Sequence, residues 1–265
     1  MINILLPTDF SENANSAADF IFDLFDPKKV KLTVVHAVTP PRSTPGMMID
    51  LGELMIKDAD KDLAEEKKRI ALKFLDIASI ETKSKLGYLK DVLPSLCSAY
   101  RTDIMVMGTK GENSLSSKIL GSNTENIIRE GTVPILAVPL TYTINDTPRI
   151  CIASSKDEVP NAEALKHISD NLKNMGKAQM SVLNVLTSTD EKSLKSIPFN
   201  GLQVAVEVEI ASDPEKGIIQ HLEKHETDLL VVTHRHNSRI DYLFQRSTTK
   251  KLAGKMDVPL LIFLS

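Results

Sequence analysis

Three glycines and a serine follow one apolar run of the sequence at close spacing. Gly108-Thr109-Lys110-Gly111 comes directly after the run 104–107, and after nine intervening residues the chain continues as Gly121-Ser122-Asn123. Glycine has no Cβ, so an anionic group such as a phosphate can approach its backbone closely. A helix predicted to begin near Ser122 would add free N–H groups that favour an anion. We interpret the segment as an anion site, with glycines that only form turns as the alternative.

An acidic residue follows the first apolar run of the chain. The run 2–6 is followed directly by Pro7-Thr8-Asp9. Ligands of open α/β sheets bind at the carboxyl ends of the strands, where the Asp9 carboxylate could accept hydrogen bonds from hydroxyl or amine groups. The alternative for Asp9 is to cap the helix that follows. His36, in the second apolar run, is interpreted as a packed strand residue and not as a catalytic base.

The segments that must position these residues alternate between strands and helices. Short, continuous apolar runs are typical of parallel strands that helices cover on both faces. These runs lie at 2–6, 32–38, 104–107 and 134–138, and helices are predicted at 13–24 (with Ser11 as N-cap), 57–78, 91–100 and 123–130. The irregular segment 39–56 is interpreted as a loop, with a mobile lid or a partner contact as alternatives. This alternation predicts a doubly wound α/β fold.

The same unit occurs twice in the chain. Residues 103–107 resemble 228–232, and residues 133–136 resemble 258–261, both at an offset of 125 residues. Such self-similarity is the signature of a repeated structural unit. The second copy has predicted strands near 149–153, 181–186, 203–210, 229–232 and 259–263. We therefore predict two domains, 1–140 and 149–265, joined by a linker at 140–149.

The second copy has lost the glycine pattern of the first. At the offset of 125 residues the glycines become Thr233, His236 and Arg246, and only the serine survives, as Ser247. Side chains would then stand where the first copy leaves room for an anion, so we predict that the second copy does not bind the same ligand. Arg235, Arg239 and Arg246 make this region basic, which suits either another anion or a solvated rim.

The quoted residues resemble the universal stress protein family in its tandem, UspA-like form. The resemblance rests on Pro7-Thr8-Asp9-Phe10-Ser11, on the strand that holds His36, on 107–111 with Gly121-Ser122, and on 133–136. It covers essentially the whole chain, strongly in the first copy and weakly in the second. It implies two tandem Rossmann-like domains of the adenine nucleotide α-hydrolase type, each with a five-stranded parallel sheet flanked by helices. The segments 133–138 and 259–263 would then meet across the axis of an intrachain pseudo-dimer.

The resemblance also implies an adenine nucleotide as ligand, namely ATP with Mg²⁺, or AMP or another adenine nucleotide. The glycines and Ser122 would hold ribose and phosphates, Asp9 would contact ribose or base, and the backbone of Ala37 would face the adenine. The candidate nucleotide-binding residues are Pro7, Thr8, Asp9, Ala37, Met107, Gly108, Lys110, Gly111, Gly121, Ser122 and Asn123. Because the second copy is degenerate, we predict one nucleotide per chain.

Composition narrows the classes of partner. With 32 Lys+Arg against 35 Asp+Glu and no Trp, a nucleic-acid partner is disfavoured. Two cysteines fit a reducing compartment, and neither the N-terminal residues nor any apolar run resembles a signal peptide or a membrane span. We therefore expect a cytoplasmic protein that contacts no membrane.

Together these expectations describe a binding module that acts as an ATP-dependent sensor or switch in stress physiology. The module would act on an unidentified protein partner, and the chain could also form a homodimer. One alternative is a slow ATPase or phosphotransferase with Ser122 or Thr109 near the γ-phosphate. The other is a scaffold that binds no nucleotide. The sequence has no P-loop, dinucleotide-binding fingerprint or nucleophile elbow, so no catalytic residue is assigned.

The histidines of the second copy form a weaker signal. His221 and His225 stand four residues apart on a predicted helix, a spacing that can hold a metal ion, and His234 and His236 follow a strand. The fold need not bring the two pairs together. The default interpretation is that the helix histidines are solvated, so no metal ligand is assigned.

Overall fold

The computed structural model describes residues 1–39, 48–109, 126–128, 131, 133–154, 161–173, 175–186, 195–234 and 258–264. The strands in this part of the chain are β1 (Ile2–Pro7), β2 (Val30–Val38), β3 (Ser79–Leu86), β4 (Ile104–Gly108), β5 (Ile135–Val138), β6 (Arg149–Ser154), β7 (Gln179–Leu186), β8 (Ser196–Phe199), β9 (Leu202–Ile210), β10 (Leu229–His234) and β11 (Leu260–Leu264). The helices are α1 (Glu12–Leu24), α2 (Met48–Lys73), α3 (Leu89–Ala99), α4 (Ala162–Ser169) and α5 (Pro214–Lys224). Short 3₁₀ helices occur at Pro27–Lys29 and Met175–Lys177.

The strands form one eleven-stranded sheet in the order β3-β2-β1-β4-β5-β11-β10-β6-β7-β9-β8. Neighbouring strands are parallel within each half, apart from β8, which pairs antiparallel with β9 at the edge. The same strand order is therefore used twice, mirrored about the middle of the sheet. This confirms the predicted α/β class and the repeat of one Rossmann-like unit.

The two halves join through their last strands. β5 and β11 pair antiparallel, with Leu136 opposite Leu261 at the centre of the contact. The backbones of the two halves also meet on the face of the sheet that α1 covers. There Lys173 N donates to Leu24 O at 2.9 Å. Segments 133–138 and 259–263 thus meet as the resemblance implied. The pairing makes one continuous sheet from two copies of the unit.

Two strands were not predicted from the sequence, and they are the two outermost strands of the sheet. β3 reads Ser79–Leu86 with alternating polar residues, and only Ser84 in it is buried. β8 is four residues long and contains Pro198, which cannot donate a ladder hydrogen bond. Edge strands need no continuous apolar run because one side of them faces solvent, so apolar runs do not predict them.

The segment between β2 and α2 differs from the prediction. Residues 48–56, expected as part of a loop, belong to α2, and that helix ends at Lys73 and not at 78. The buried positions of α2 are Gly52, Ala59, Leu63, Glu66 and Ile70, the spacing of one helical face, and α2 lies over β2 and β3. Five of the nine residues 48–56 are Met, Leu or Glu, which favour helices, so the helix begins earlier than the loop assignment allowed. Residues 40–47 lie outside the described residues.

Helix α1 follows the prediction closely. Ser11 is its N-cap, and the Ser11 hydroxyl accepts a hydrogen bond from Ala14 N at 3.2 Å. Phe20, Ile21 and Phe22 of this helix are buried against the sheet. α1, α2 and α4 cover one face of the sheet, while α3 and α5 cover the other. Within the described part of the chain, no helix combines the length and the apolar character needed to cross a bilayer.

Candidate functional site

Six of the candidate residues lie together where neighbouring parallel strands reach their carboxyl ends. This rim of the sheet is called the edge of the site, as distinct from the outermost strands. Pro7 closes β1 and Gly108 closes β4, and these two strands are neighbours. Pro7 pairs with Val35 of β2, so Ala37 lies two residues further towards the same edge. Gly108 pairs with Val138 of β5. The topology therefore brings the ends of β1, β2 and β4 to the place where open α/β sheets bind ligands.

The loop after β1 is fixed by its own short side chains. Thr8 N donates to Val35 O at 2.9 Å, and the Thr8 hydroxyl accepts a hydrogen bond from Phe10 N at 2.9 Å. Asp9 Oδ1 accepts a hydrogen bond from Ser11 N at 3.2 Å. Asp9 does not cap α1, because Ser11 does. Phe10 takes a positive φ of 62°, an uncommon conformation for a residue with a bulky side chain.

The His36 ring supports the same loop. Its Nδ1 lies 2.7 Å from Thr8 O, and since a carbonyl oxygen can only accept, Nδ1 carries the proton. The ring of Phe10 packs against that of His36, with 4.8 Å between the ring centroids. His36 is thus a packed residue that holds the end of β1, in agreement with its interpretation from the sequence. Asp9, His36 and Ala37 are all half-buried at this edge.

Gly108 has a structural reason to be glycine. A Cβ built on it would lie 2.7 Å from Asn13 Oδ1 and 2.9 Å from Asn13 O, both too short for a carbon atom. The Asn13 side chain is itself fixed, because it is buried and its Nδ2 donates to Val138 O at 3.2 Å. α1 therefore approaches the end of β4 closely. The side chain of Met107, the preceding residue, packs in the core on the opposite face of the sheet.

The glycine segment continues after Thr109. Lys110, Gly111, Gly121, Ser122 and Asn123 lie outside the described residues. Of the helix predicted at 123–130, residues 126–128 are helical, and Ile127 and Ile128 pack in the core on the α3 face. Thr109 is buried and its N–H donates to Val138 O at 2.9 Å, which extends the pairing of β4 with β5.

The corresponding edge of the second half is built differently. Thr233 stands on β10 at the position that corresponds to Gly108, and His234 follows it as the last residue of the strand. α4 begins at Ala162, eight residues after β6 ends, whereas α1 begins five residues after β1 ends. His236, the three arginines and Ser247 lie outside the described residues.

A second cluster of polar side chains lies in the second half, on the face that α5 covers. His221 is 2% exposed, so the default interpretation of solvated helix histidines is wrong for this residue. His221 Nε2 lies 3.4 Å from Glu207 Oε2, and the rings of His221 and His225 stack with centroids 4.5 Å apart. Burial lowers the pKa of His221, although Glu207 opposes that shift. The helical spacing of the two histidines was visible in the sequence, but Glu207 was not identified as their neighbour.

The fold and the strand-end site define a Rossmann-like α/β protein with two copies of its unit in one sheet. The Universal stress protein family model matches residues 1–139 and 187–263. The chain therefore belongs to the universal stress protein family, in a tandem form.

Individual relatives agree with this assignment. Universal stress protein Slr1230 of Synechocystis is 27% identical over 196 residues, which cover 71% of this chain and 66% of that protein. A universal stress protein of Thermus aquaticus is 27% identical over 138 residues, 51% of this chain and 96% of its own length. The crystal structure of a universal stress protein from Archaeoglobus fulgidus covers 99% of this chain and 98% of its own, with a TM-score of 0.67 and 16% identity. At that identity the last comparison supports the fold alone.

Proposed function

We propose that the first half binds one adenine nucleotide per chain, as ATP with Mg²⁺, at the edge formed by the ends of β1, β2 and β4. The observation that carries this proposal is the convergence of Asp9, Ala37 and Gly108, which lie far apart in the sequence, at one edge of the sheet. The glycine segment begins at Gly108, so the continuing chain starts at the same place. The nucleotide would act as a signal that favours one conformation of the protein.

The described residues fit the chemistry of such a ligand. Asp9 uses Oδ1 to hold Ser11 N, and a carboxylate offers about four lone-pair positions, so ribose hydroxyls can be accepted as well. Ala37 is half-buried beyond the end of β1 and has a short side chain, so a flat base could approach its backbone. Lys110, Gly111, Gly121, Ser122 and Asn123 would hold the phosphates and, through them, the Mg²⁺ ion. When bound, the metal would neutralise phosphate charge.

Calorimetric titration with MgATP, after removal of any nucleotide carried through purification, tests the proposal. We expect about one nucleotide per chain, and no binding to the Gly121→Val variant, whose side chain would occupy the phosphate path. Gly176→Val is the matched control, because a Cβ at Gly176 meets no atom within 4 Å. Two nucleotides per chain would contradict the loss of the second site. No binding to the wild type would favour the scaffold hypothesis.

The role of Asp9 has its own matched pair of variants. Asp9→Asn keeps an oxygen for Ser11 N but removes the charge, and Asp26→Asn makes the same change where Asp26 Oδ1 holds Lys28 N. A hydrogen bond to a charged group contributes about 1.5–3 kcal/mol, so we expect Asp9→Asn to weaken MgATP binding about tenfold or more. Asp26→Asn is expected to leave the affinity unchanged. Equal affinities of both variants and the wild type would remove Asp9 from the site.

A further inference from the structure

The cluster on the α5 face of the second half lies between a helix and a strand. α5 packs on β7 and β9, and Gly217 lets the helix approach closely, since a Cβ on it would lie 2.3 Å from Val185 Cγ1. Glu207 stands in the middle of β9 beneath the helix, and His225 follows the last residue of α5 as its C-cap. His221 is buried between them, while His225 is exposed. The three side chains thus connect a strand to the end of a helix.

These side chains bring metal-ligating atoms to one point. One ligand atom from each of Glu207, His221 and His225 lies within 4.8 Å of the other two. Bonds of about 2.0–2.1 Å to a tetrahedral ion place ligand atoms about 3.3 Å apart. Because the His225 ring stacks nearly parallel to the His221 ring, His225 would rotate out of this stack to aim a nitrogen at the same ion. The exposed His225 has the space to turn. His221 Nε2 and Glu207 Oε2, at 3.4 Å, are already at such a separation.

The hydrogen bonding of the cluster is incomplete. Within the described residues, His221 Nδ1 and Glu207 Oε2 are buried and have no hydrogen-bond partner. A buried polar atom left in this state destabilises the folded protein, and such atoms are few in native proteins. The contact between His221 and Glu207 therefore does not satisfy the cluster by itself. A bound cation would supply the missing interaction for the Glu207 carboxylate.

We propose that Glu207, His221 and His225 bind one divalent metal ion of the zinc class. Two imidazoles and one carboxylate are a donor set that Zn²⁺ accepts, and a fourth position would remain for water or another ligand. The ion would fasten the end of α5 to β9. This gives the half that lacks the glycine pattern a ligand of its own, and it does not depend on nucleotide binding by the first half.

The topology separates this cluster from the other histidine pair. His225 lies four residues before β10 begins at Leu229, whereas His234 is the last residue of that strand. In the sheet order β10 lies three strands away from β9, and neighbouring strands are about 4.8 Å apart, so roughly 14 Å separate β10 from the strand that holds Glu207. The backbone of His234 is therefore far from Glu207, and replacing His234 separates binding at the cluster from binding elsewhere.

The test uses the full chain, stripped with a chelator and titrated with Zn²⁺ in competition with a chromophoric chelator. We expect one tightly bound Zn²⁺ per chain, and a loss of affinity of about tenfold or more in both His225→Ala and Glu207→Gln. His167→Ala is the control for removing a partly exposed histidine, and His234→Ala is the control for the other pair. Both controls are expected to bind Zn²⁺ like the wild type.

A second measurement distinguishes loss of Zn²⁺ binding from misfolding of the variants. Zn²⁺ that binds the native state raises Tm, so the wild type and both controls should gain thermal stability with Zn²⁺, while His225→Ala should gain none. Circular dichroism without metal shows whether each variant is folded. Absence of Zn²⁺ binding to the wild type would overturn the proposal. It would also be overturned by unchanged affinity in His225→Ala, or by a loss of affinity in His234→Ala alone.

Discussion

Replacing Gly108 by alanine separates a structural role of this glycine from a role in ligand binding. The added Cβ would lie 2.7, 2.8 and 2.9 Å from three atoms of Asn13, and one of these is a backbone oxygen of α1. The Asn13 side chain cannot turn aside without losing its hydrogen bond to Val138 O. Relief of the clash between the new Cβ and Asn13 therefore requires a displacement of α1 from β4 by several tenths of an ångström.

The structure allows an estimate of the cost. Overpacking of this kind costs about 1–3 kcal/mol, and loss of the Asn13 hydrogen bond would add about 1 kcal/mol. A destabilisation of about 2–4 kcal/mol lowers the Tm of a chain of 265 residues by about 4–7 °C. Gly176→Ala, where the new Cβ meets no atom within 4 Å, is expected to change Tm by less than about 2 °C.

The assay is thermal unfolding of nucleotide-free protein, followed by circular dichroism, together with MgATP titration of the same samples. We expect Gly108→Ala to be destabilised without nucleotide, because the clash with Asn13 exists in the protein alone. If Gly108→Ala is as stable as the wild type, the packing argument is wrong. If that stable variant has also lost MgATP binding, the glycine serves the ligand and not the contact with α1.

Two further predictions concern stability and thiol chemistry. Arg69→Ala removes the partner of the buried Glu66 carboxylate, whose two oxygens lie 2.8 Å from guanidinium nitrogens, so we expect a loss of about 1–3 kcal/mol in urea unfolding. Lys61→Ala breaks an exposed ion pair and should cost less than about 1 kcal/mol, and equal costs for the two variants would contradict this reasoning. Burial raises the pKa of Cys97 and raises that of Cys151 to about 12, so at pH 8 the thiolate fraction is depleted in the folded protein. A disulfide reagent followed by absorbance should therefore modify both thiols only after denaturant is added, and rapid reaction of the native protein would show that they are accessible.

Much of the fold could be predicted because its determinants are local. β1 and β4 are short apolar runs buried in the centre of the sheet, and Ser11 caps α1 with chemistry contained in four residues. The repeat at an offset of 125 residues indicated that one unit was used twice. β3 was not predicted because an edge strand needs no apolar run. The start of α2 was missed because Gly52 and the prolines before it outweighed the helix formers of residues 48–56.

The sequence by itself determined the alternation of strands and helices, the repeat and the residues that end β1 and β4. Only the tertiary structure decided which distant residues meet. Asn13 lies against Gly108 because α1 crosses the end of β4, and Glu207 lies under His221 because α5 packs on β9. Such contacts depend on how helices sit over a sheet, and no local pattern of residue types records that placement.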